Sequence, residues 1–177
     1  MSIYRHYKKK FYRLFGVAKH SETLEEFAVY ETLYESAGGR LWVRPKKMFF
    51  ENIDLNGKSV PRFAPFQPTI ESISEVKAEH IAQIRPLIEK LFGWDEASFY
   101  GTFKNHSKFQ LHLARIEAQV VGFKLGYELN PEEFYSWLGA VDSEFRRFGI
   151  ARLLRVTQQK WAKASGYKVI VLRKTLV

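Results

Sequence analysis

The sequence predicts an α+β protein in two parts: a small, β-rich, barrel-like module over residues 1–66 and a mixed sheet flanked by helices over residues 67–177. Three observations carry this reading. Three of the six prolines fall within residues 61–68, PRFAPFQP, a density that excludes regular helix and central strand and marks a linker. Upstream, short runs of aromatic and β-branched residues alternate with polar ones between glycine turns. Downstream come helical spacing, three alternating runs, and then a glycine-bearing loop, a long amphipathic stretch and a final apolar run. With 46% apolar and 16% aromatic residues, a chain of 177 residues buries one sizeable core or two small ones, which excludes a disordered chain.

In the first module the opening MSIYRHYKKK is basic and aromatic, and it leads directly into strand-like alternation through residues 7–20, so it reads as folded structure and not as a targeting peptide. FAVYETLY, residues 27–34, sets Phe27, Val29 and Glu31 against Ala28, Tyr30 and Thr32. Gly38-Gly39 turn the chain into LWVRP, which Pro45 ends, and Asn56-Gly57 is a hairpin signal. Four or five short strands at this spacing predict a small barrel or curled sheet.

The second module begins with VKAEHIAQIRPLIEKLFGW, in which Ile81, Ile84, Ile88 and Leu91 share one helical face. Pro86 inside it removes a backbone donor and predicts a kink or a break into two shorter helices. Asp95 caps a further helical stretch carrying Phe99 and Phe103. Three strands are then expected: FQLHLARI, with His112 on its polar side; QVVGFKLGYE, across a tight Glu117-Ala118 turn; and FYSWLGAV, residues 134–141. Ile150, Leu153, Leu154, Thr157, Trp161 and Ala164 mark the buried stripe of a long helix that Gly166 stops, before the strand YKVIVLR.

Lys and Arg number 28 against 19 Asp and Glu, a net charge of +9, and the last segment, residues 144–177, holds nine basic residues and one acidic. That local basicity points to an anionic ligand, while the acidic middle of the chain argues against a protein that coats nucleic acid. The absence of cysteine removes disulfides, thiolate metal sites and cysteine nucleophiles, and fits a cytoplasmic setting; no metal site is expected. No run of 18 apolar residues exists, so no membrane-spanning helix is expected.

Four motifs of the first module, YRHYK near the start, HSET at residues 20–23, WVRP at residues 42–45 and PRF at residues 61–63, resemble a small bacterial domain family of unknown function over residues 2–65. The family implies no activity. Read physically, Ser21-Glu22-Thr23 after His20 is a turn or helix cap in preference to a hydrolytic pair, and His6 with His20 lacks the nearby carboxylate that a metal site needs. Arg5, Arg44 and Arg62 beside Tyr4, Tyr7 and Trp42 offer a basic, aromatic face, a mixture that simple alternation on a small sheet also produces.

The loop before the long helix, Arg146-Arg147-Phe148-Gly149-Ile150-Ala151, places backbone amides and the positive dipole end where a phosphate or pyrophosphate can sit, and Gly149 permits close backbone approach. Neither GxxxxGK[ST] nor GxGxxG is present, which disfavours P-loop hydrolysis and dinucleotide binding. The pattern R-x-x-G-x-A between a strand and an amphipathic helix, with helices and an antiparallel meander before it, resembles the GNAT superfamily of N-acetyltransferases over about residues 70–177. That resemblance implies a GNAT-like mixed sheet and an acetyl-CoA-dependent transfer of an acetyl group to an unidentified amine, by direct attack on the thioester.

It also implies that Leu138, Gly139, Ala140 and Val141 pair with the pantetheine arm, that Arg146, Arg147, Phe148, Gly149, Ile150 and Ala151 hold the pyrophosphate, and that Gly139 marks the bulge opening the cleft. Glu128 and Tyr135 are the candidates for the base that deprotonates the amine, with His112 as a further option. The family continues past its fifth strand into a helix and two strands that are expected to be lacking here, where the sequence reads LRKTLV. This short form is therefore expected to turn over acetyl-CoA poorly, and YKVIVLR is expected to leave an edge through which the protein self-associates. Two other readings stay open: an acyl-CoA-binding module without turnover, and a nucleic-acid-associated protein acting through residues 1–66.

Overall fold

A computed structural model describes residues 2–93 and 95–172. They form two compact units that divide between Gln67 and Pro68. No helix among the described residues is long and apolar enough to cross a membrane.

The first unit is built from β1 (Ser2–His6), β2 (Phe11–Lys19), β3 (Glu26–Thr32), β4 (Leu41–Pro45), a one-turn α1 (Lys46–Phe50), the hairpin β5 (Asn52–Leu55) and β6 (Lys58–Pro61), and β7 (Phe63–Phe66). The sheet is antiparallel in the order β4-β3-β2-β1-β7. It is open: β4 and β7 are its two edges, so the expected barrel-like closure does not occur. The proline-rich stretch, expected as a linker, supplies β7, in which Pro65 stands opposite Tyr4. An edge strand tolerates a residue that donates no ladder hydrogen bond, which is why a proline run can be a strand here. Asn56 and Gly57 both take positive φ, 55° and 78°, the geometry of the tight turn that joins β5 to β6. Ala28, Tyr30, Phe49 and Phe63 form the core, with the Phe49 and Phe63 rings stacked at 4.2 Å.

The second unit opens with β8 (Thr69–Ile73), which the sequence reading missed because a short run after Pro68 shows little alternation. Then follow α2 (Ala78–Phe92), α3 (Glu96–Asn105), β9 (Phe109–Ile116), β10 (Gln119–Asn130), β11 (Glu133–Val141), a 3-10 turn (Ser143–Phe145), α4 (Ile150–Ala164) and β12 (Val169–Val171). The strand order is β12-β11-β10-β9-β8, antiparallel except for the parallel β11–β12 pair. Helix α2 runs through Pro86 as one helix, and the expected break does not occur. Ile81, Ile84, Leu87 and Ile88 are all buried, and their packing outweighs the one lost intrahelical bond. Asp95 caps α3 as expected, its side chain accepting from the Ser98 amide at 3.2 Å. Trp94, Arg173 and the final KTLV lie outside the described residues.

The two faces of this sheet differ in kind. Phe109, Leu111, Leu113, Phe123 and Leu125 pack with α2 and Phe99 of α3 in an apolar core. Helix α4 buries Ile150, Leu154, Gln158 and Ala162, a stripe rotated from the expected one, and Ala164 is exposed. Gln110 and His112 of β9, expected on a polar side, are fully buried.

Candidate functional site

The site grows from a parting of two strands. β11 and β12 pair at only three positions, Glu133–Val169, Phe134–Ile170 and Tyr135–Val171. Beyond Tyr135, β11 keeps β10 on one side and has no described strand on the other, so the backbone of residues 136–141 presents a free edge. Such an edge offers alternating N–H and C=O groups to an extended amide-bearing ligand. The irregularity that accompanies the parting lies at Ser136-Trp137, where the register against β10 slips between Leu125–Leu138 and Tyr127–Tyr135. This corrects the bulge expected at Gly139, which pairs regularly with Lys124. The partner of the bulge is Gly126, where a Cβ would lie 2.4 Å from the Tyr135 carbonyl oxygen, so only glycine fits. Ser136, the first β11 residue past the pairing, is buried and its Oγ lacks a protein partner.

A cleft of about 480 Å³ runs along this edge to the start of α4, lined by Lys124, Gly139, Ala140, Val141, Arg146 and Ala151 among others. Gly149 is the N-cap of α4, with φ 78° and ψ 8°, a left-handed conformation that a residue without Cβ adopts at little cost. No side chain caps this end and its first turn carries no acid; the first helical bond runs from the Leu153 amide to the Gly149 carbonyl. The amides of Ile150, Ala151 and Arg152 in the first turn precede that bond and can meet an anion, with the helix dipole behind them. Lys90 of α2 binds Asp142 Oδ1 at 3.1 Å and ties the loop down where it leaves β11.

Of the ten residues expected to hold the acyl donor, Gly139, Ala140, Val141, Arg146 and Ala151 line this cleft. Leu138 packs against the α2–α3 core, while Phe148 and Ile150 are buried, so these three face the cleft at most through their backbone. Arg147 takes φ 72° in the turn before Gly149. Sequence reasoning missed Lys124, whose ammonium is brought close to Gly139 and held below the ordinary lysine range by burial and by Arg155. Its signal is the lysine that interrupts the apolar run of β10.

Glu128 and Tyr135 lie on opposite faces of the sheet. Glu128 pairs with Lys108 at 2.8 Å and accepts from the Tyr167 hydroxyl at 2.8 Å, and these bonds hold its carboxyl below the usual range. Tyr135 packs on the α2–α3 side, its ring 5.2 Å from that of Tyr127, at the last position before the strands part. His112 lies beneath α4, its Nδ1 bonded to Ser72 Oγ at 2.9 Å, and burial followed by the Lys124 charge lowers its pKa to about 4. It is thus neutral at pH 7, one of a buried polar layer with Gln110 and Gln158.

The neutrality of His112 carries a prediction. The unfolded chain protonates this group near 6.5 and the folded protein near 4, so acid favours unfolding: stability is constant above about pH 6.5 and falls through the window down to about pH 4. The loss is on the order of 2–3 kcal/mol for a fully buried group. His112→Leu should flatten the dependence between pH 7 and 4.5 in urea titrations of the second unit; an equally steep wild-type and variant would assign the acid limb elsewhere.

The HSET segment is a turn: His20 Nδ1 accepts from the Glu22 and Thr23 amides at 3.3 and 3.2 Å, which leaves no Ser–His pair. Among the described residues no group of His, Asp and Glu is placed to hold a metal ion.

Two known families match separate stretches of the chain. The family described as protein of unknown function (DUF1653) matches residues 2–65. The acetyltransferase (GNAT) domain family matches residues 96–173. A crystal structure of a DUF1653 protein from Bordetella bronchiseptica is 38% identical over 36% of this chain and 81% of its own, with a TM-score of 0.34. A ribosomal-protein-alanine N-acetyltransferase from Brucella melitensis biovar Abortus 2308 shares 19% identity over 63% of this chain and 82% of its own, with a TM-score of 0.51. A putative acetyl transferase from Pyrococcus furiosus shares 19% identity over 62% and 84%, also at 0.51. No curated protein sequence matches the chain.

Proposed function

We propose, for a chain that belongs to the DUF1653 family through its first domain and carries a GNAT acetyltransferase domain in its second, that an amine is acetylated at the parting of β11 and β12. The protein is an N-acetyltransferase and acetyl-CoA is its acyl donor. The observation that carries the site is the continuity of the free β11 edge, the cleft and the uncapped start of α4. An extended amide arm bonds the strand edge, the pyrophosphate meets the amides from Arg146 to Ala151, and Arg146 adds a charge-assisted donor. The buried Ser136 Oγ without a partner fits a polar group of the donor at the thioester end.

The reading continues to the amine. It must lose a proton before or as it attacks, and Tyr135 stands nearer to the parting than Glu128, which Lys108 and Tyr167 keep as a weak base. We assign Tyr135 as a proton relay, its hydroxyl taking the proton lost by the attacking amine as it gives its own to the departing thiolate of coenzyme A, and to Glu128 only a share of the local charge. Tyr135→Phe should lower kcat at least about tenfold with acetyl-CoA affinity unchanged, and Glu128→Gln should stay within about threefold of wild type. The reverse pattern would exchange the roles. The reading as a whole is tested by thiol release from acetyl-CoA across an amine panel: saturable release with one amine class supports it, and binding without release from any amine favours an acyl-CoA sensor.

The proposal includes a cytoplasmic setting and self-association. Among the described residues β12 is an edge of its sheet, with Val169 46% and the following Leu172 65% exposed, a surface that pairs with a second copy. Light scattering behind sizing chromatography should give a mass near twice 20.8 kDa at micromolar concentration; a monomer would remove this part.

A further inference from the structure

The first domain gathers its separate sequence motifs around one cation. Arg44, from the WVRP motif, has its guanidinium carbon 5.9 Å from the centre of the Phe63 ring, from the PRF motif. The His6 ring, from YRHYK, lies 4.6 Å from Phe63 and 6.1 Å from Tyr12. The Tyr12 and Tyr34 hydroxyls meet at 2.8 Å, and Lys10 Nζ stands 4.3 Å above the Tyr34 ring. The HSET turn takes no part in this grouping. β1, β2, β4 and β7 each supply a residue, and Phe63 is the buried floor.

Polar atoms here are donors in search of an acceptor. Arg44 Nε is shut off from solvent without a hydrogen-bond partner, and Arg44 forms no ion pair among the described residues. His6 Nδ1 accepts from the Lys8 amide at 3.3 Å, which fixes the neutral tautomer with its proton on Nε2, and no described residue accepts from that proton. Burial, Arg62, Arg44 and Lys8 together lower the His6 pKa to about 4, so a surplus of positive charge surrounds the ring. Arg62 is balanced by Glu51, its Nε donating to Oε1 at 2.6 Å; Arg44, Lys8 and Lys10 have no carboxylate partner among the described residues. The unpaired Nε costs free energy in the folded state, and the uncompensated charge of its guanidinium draws an anion to the remaining N–H groups.

We propose that this face of the first domain, at Arg44, His6 and the Tyr12–Tyr34 hydroxyl pair, is a binding site for a small molecule bearing a phosphate monoester. The excess of unpaired cations over one favours a dianion above a carboxylate, and a guanidinium fork matches two phosphate oxygens. The rings of His6, Phe63 and Tyr12 pack on one another beside Arg44, so an organic moiety on the phosphate would lie over the outer faces of His6 and Tyr12.

The test uses the full chain and follows the His6 ring resonance by NMR while inorganic phosphate, adenosine 5′-monophosphate and acetate are titrated at fixed ionic strength. Both phosphates should shift the resonance saturably, and acetate should not. The midpoint for His6 protonation should rise above about 4 in phosphate, because a dianion beside the ring offsets Arg44 of β4, Arg62 before β7 and Lys8 of the β1–β2 turn. Arg44→Gln should weaken phosphate binding at least about tenfold and leave the dispersed amide resonances of the first domain in place, which reports that this domain is folded. Tyr34→Phe, which keeps the ring, should weaken it several-fold. No saturable shift from either phosphate, unaltered affinity in folded Arg44→Gln, or binding of an oligonucleotide without binding of the monophosphates would each overturn the proposal.

Discussion

Replacing Gly149 by glutamate should abolish the stabilisation that acetyl-CoA gives the wild-type protein. A ligand that binds only the folded state at about 100 times its Kd adds about 2.7 kcal/mol, a rise of several degrees in the melting temperature of the second unit. Gly149 sits at φ 78° at the head of α4, and a Cβ there would meet nothing within 4 Å. Any side chain therefore pays for the left-handed backbone alone, about 1 kcal/mol, and the fold persists. Glutamate differs from alanine in what it puts before the helix amides: a carboxylate takes the place of the pyrophosphate and repels it. Gly149→Ala should keep at least half of the ligand-induced shift and Gly149→Glu none, measured by differential scanning fluorimetry with and without acetyl-CoA. A full shift in folded Gly149→Glu would remove the loop from the site.

The largest loss of stability should come from Gly126→Ala, far from that loop in sequence. A Cβ on Gly126 would lie 2.4 Å from the Tyr135 carbonyl oxygen and 2.5 Å from a Phe134 ring carbon, and a backbone carbonyl held in a sheet has nowhere to go. We expect a cost of about 3 kcal/mol and a fall of more than about 10 °C for the second unit. Gly139→Ala is the control, since its nearest neighbour would be 3.4 Å away; it should melt close to wild type and yet disturb the donor edge of β11. Equal melting of Gly126→Ala and Gly139→Ala would show that the bulge at Ser136-Trp137 is not held in place by Gly126.

Local chemistry was readable where a residue acts on its own backbone. The Asn56-Gly57 hairpin, the Asp95 cap, the turn at Glu117, with φ 55°, and the stop at Gly166, with φ 90°, are all in the sequence for that reason. What resisted was decided by neighbours far along the chain. Pro65 reads as a breaker until β1 pairs with it on an edge, and Pro86 reads as a break until four apolar side chains of α2 hold the helix against the sheet. His112 and Gln110 alternate as polar residues do, and only the arrival of α4 over that face buries them. The turn into α4 was legible as a string, because Gly149 takes the left-handed φ of 78° that a residue without Cβ adopts at little cost. Lys124 was not, because its place in the cleft depends on which residue of β11 lies opposite.

Amide hydrogen exchange with and without saturating acetyl-CoA tests the central claim most directly, because the proposed site holds the donor by backbone amides on two named segments. Acetyl-CoA should slow exchange over residues 138–141, along the free edge of β11, and over residues 146–151, at the head of α4, with β9 and the α2–α3 core unchanged. Protection confined to other segments, or none at all at concentrations that support thiol release, would contradict it.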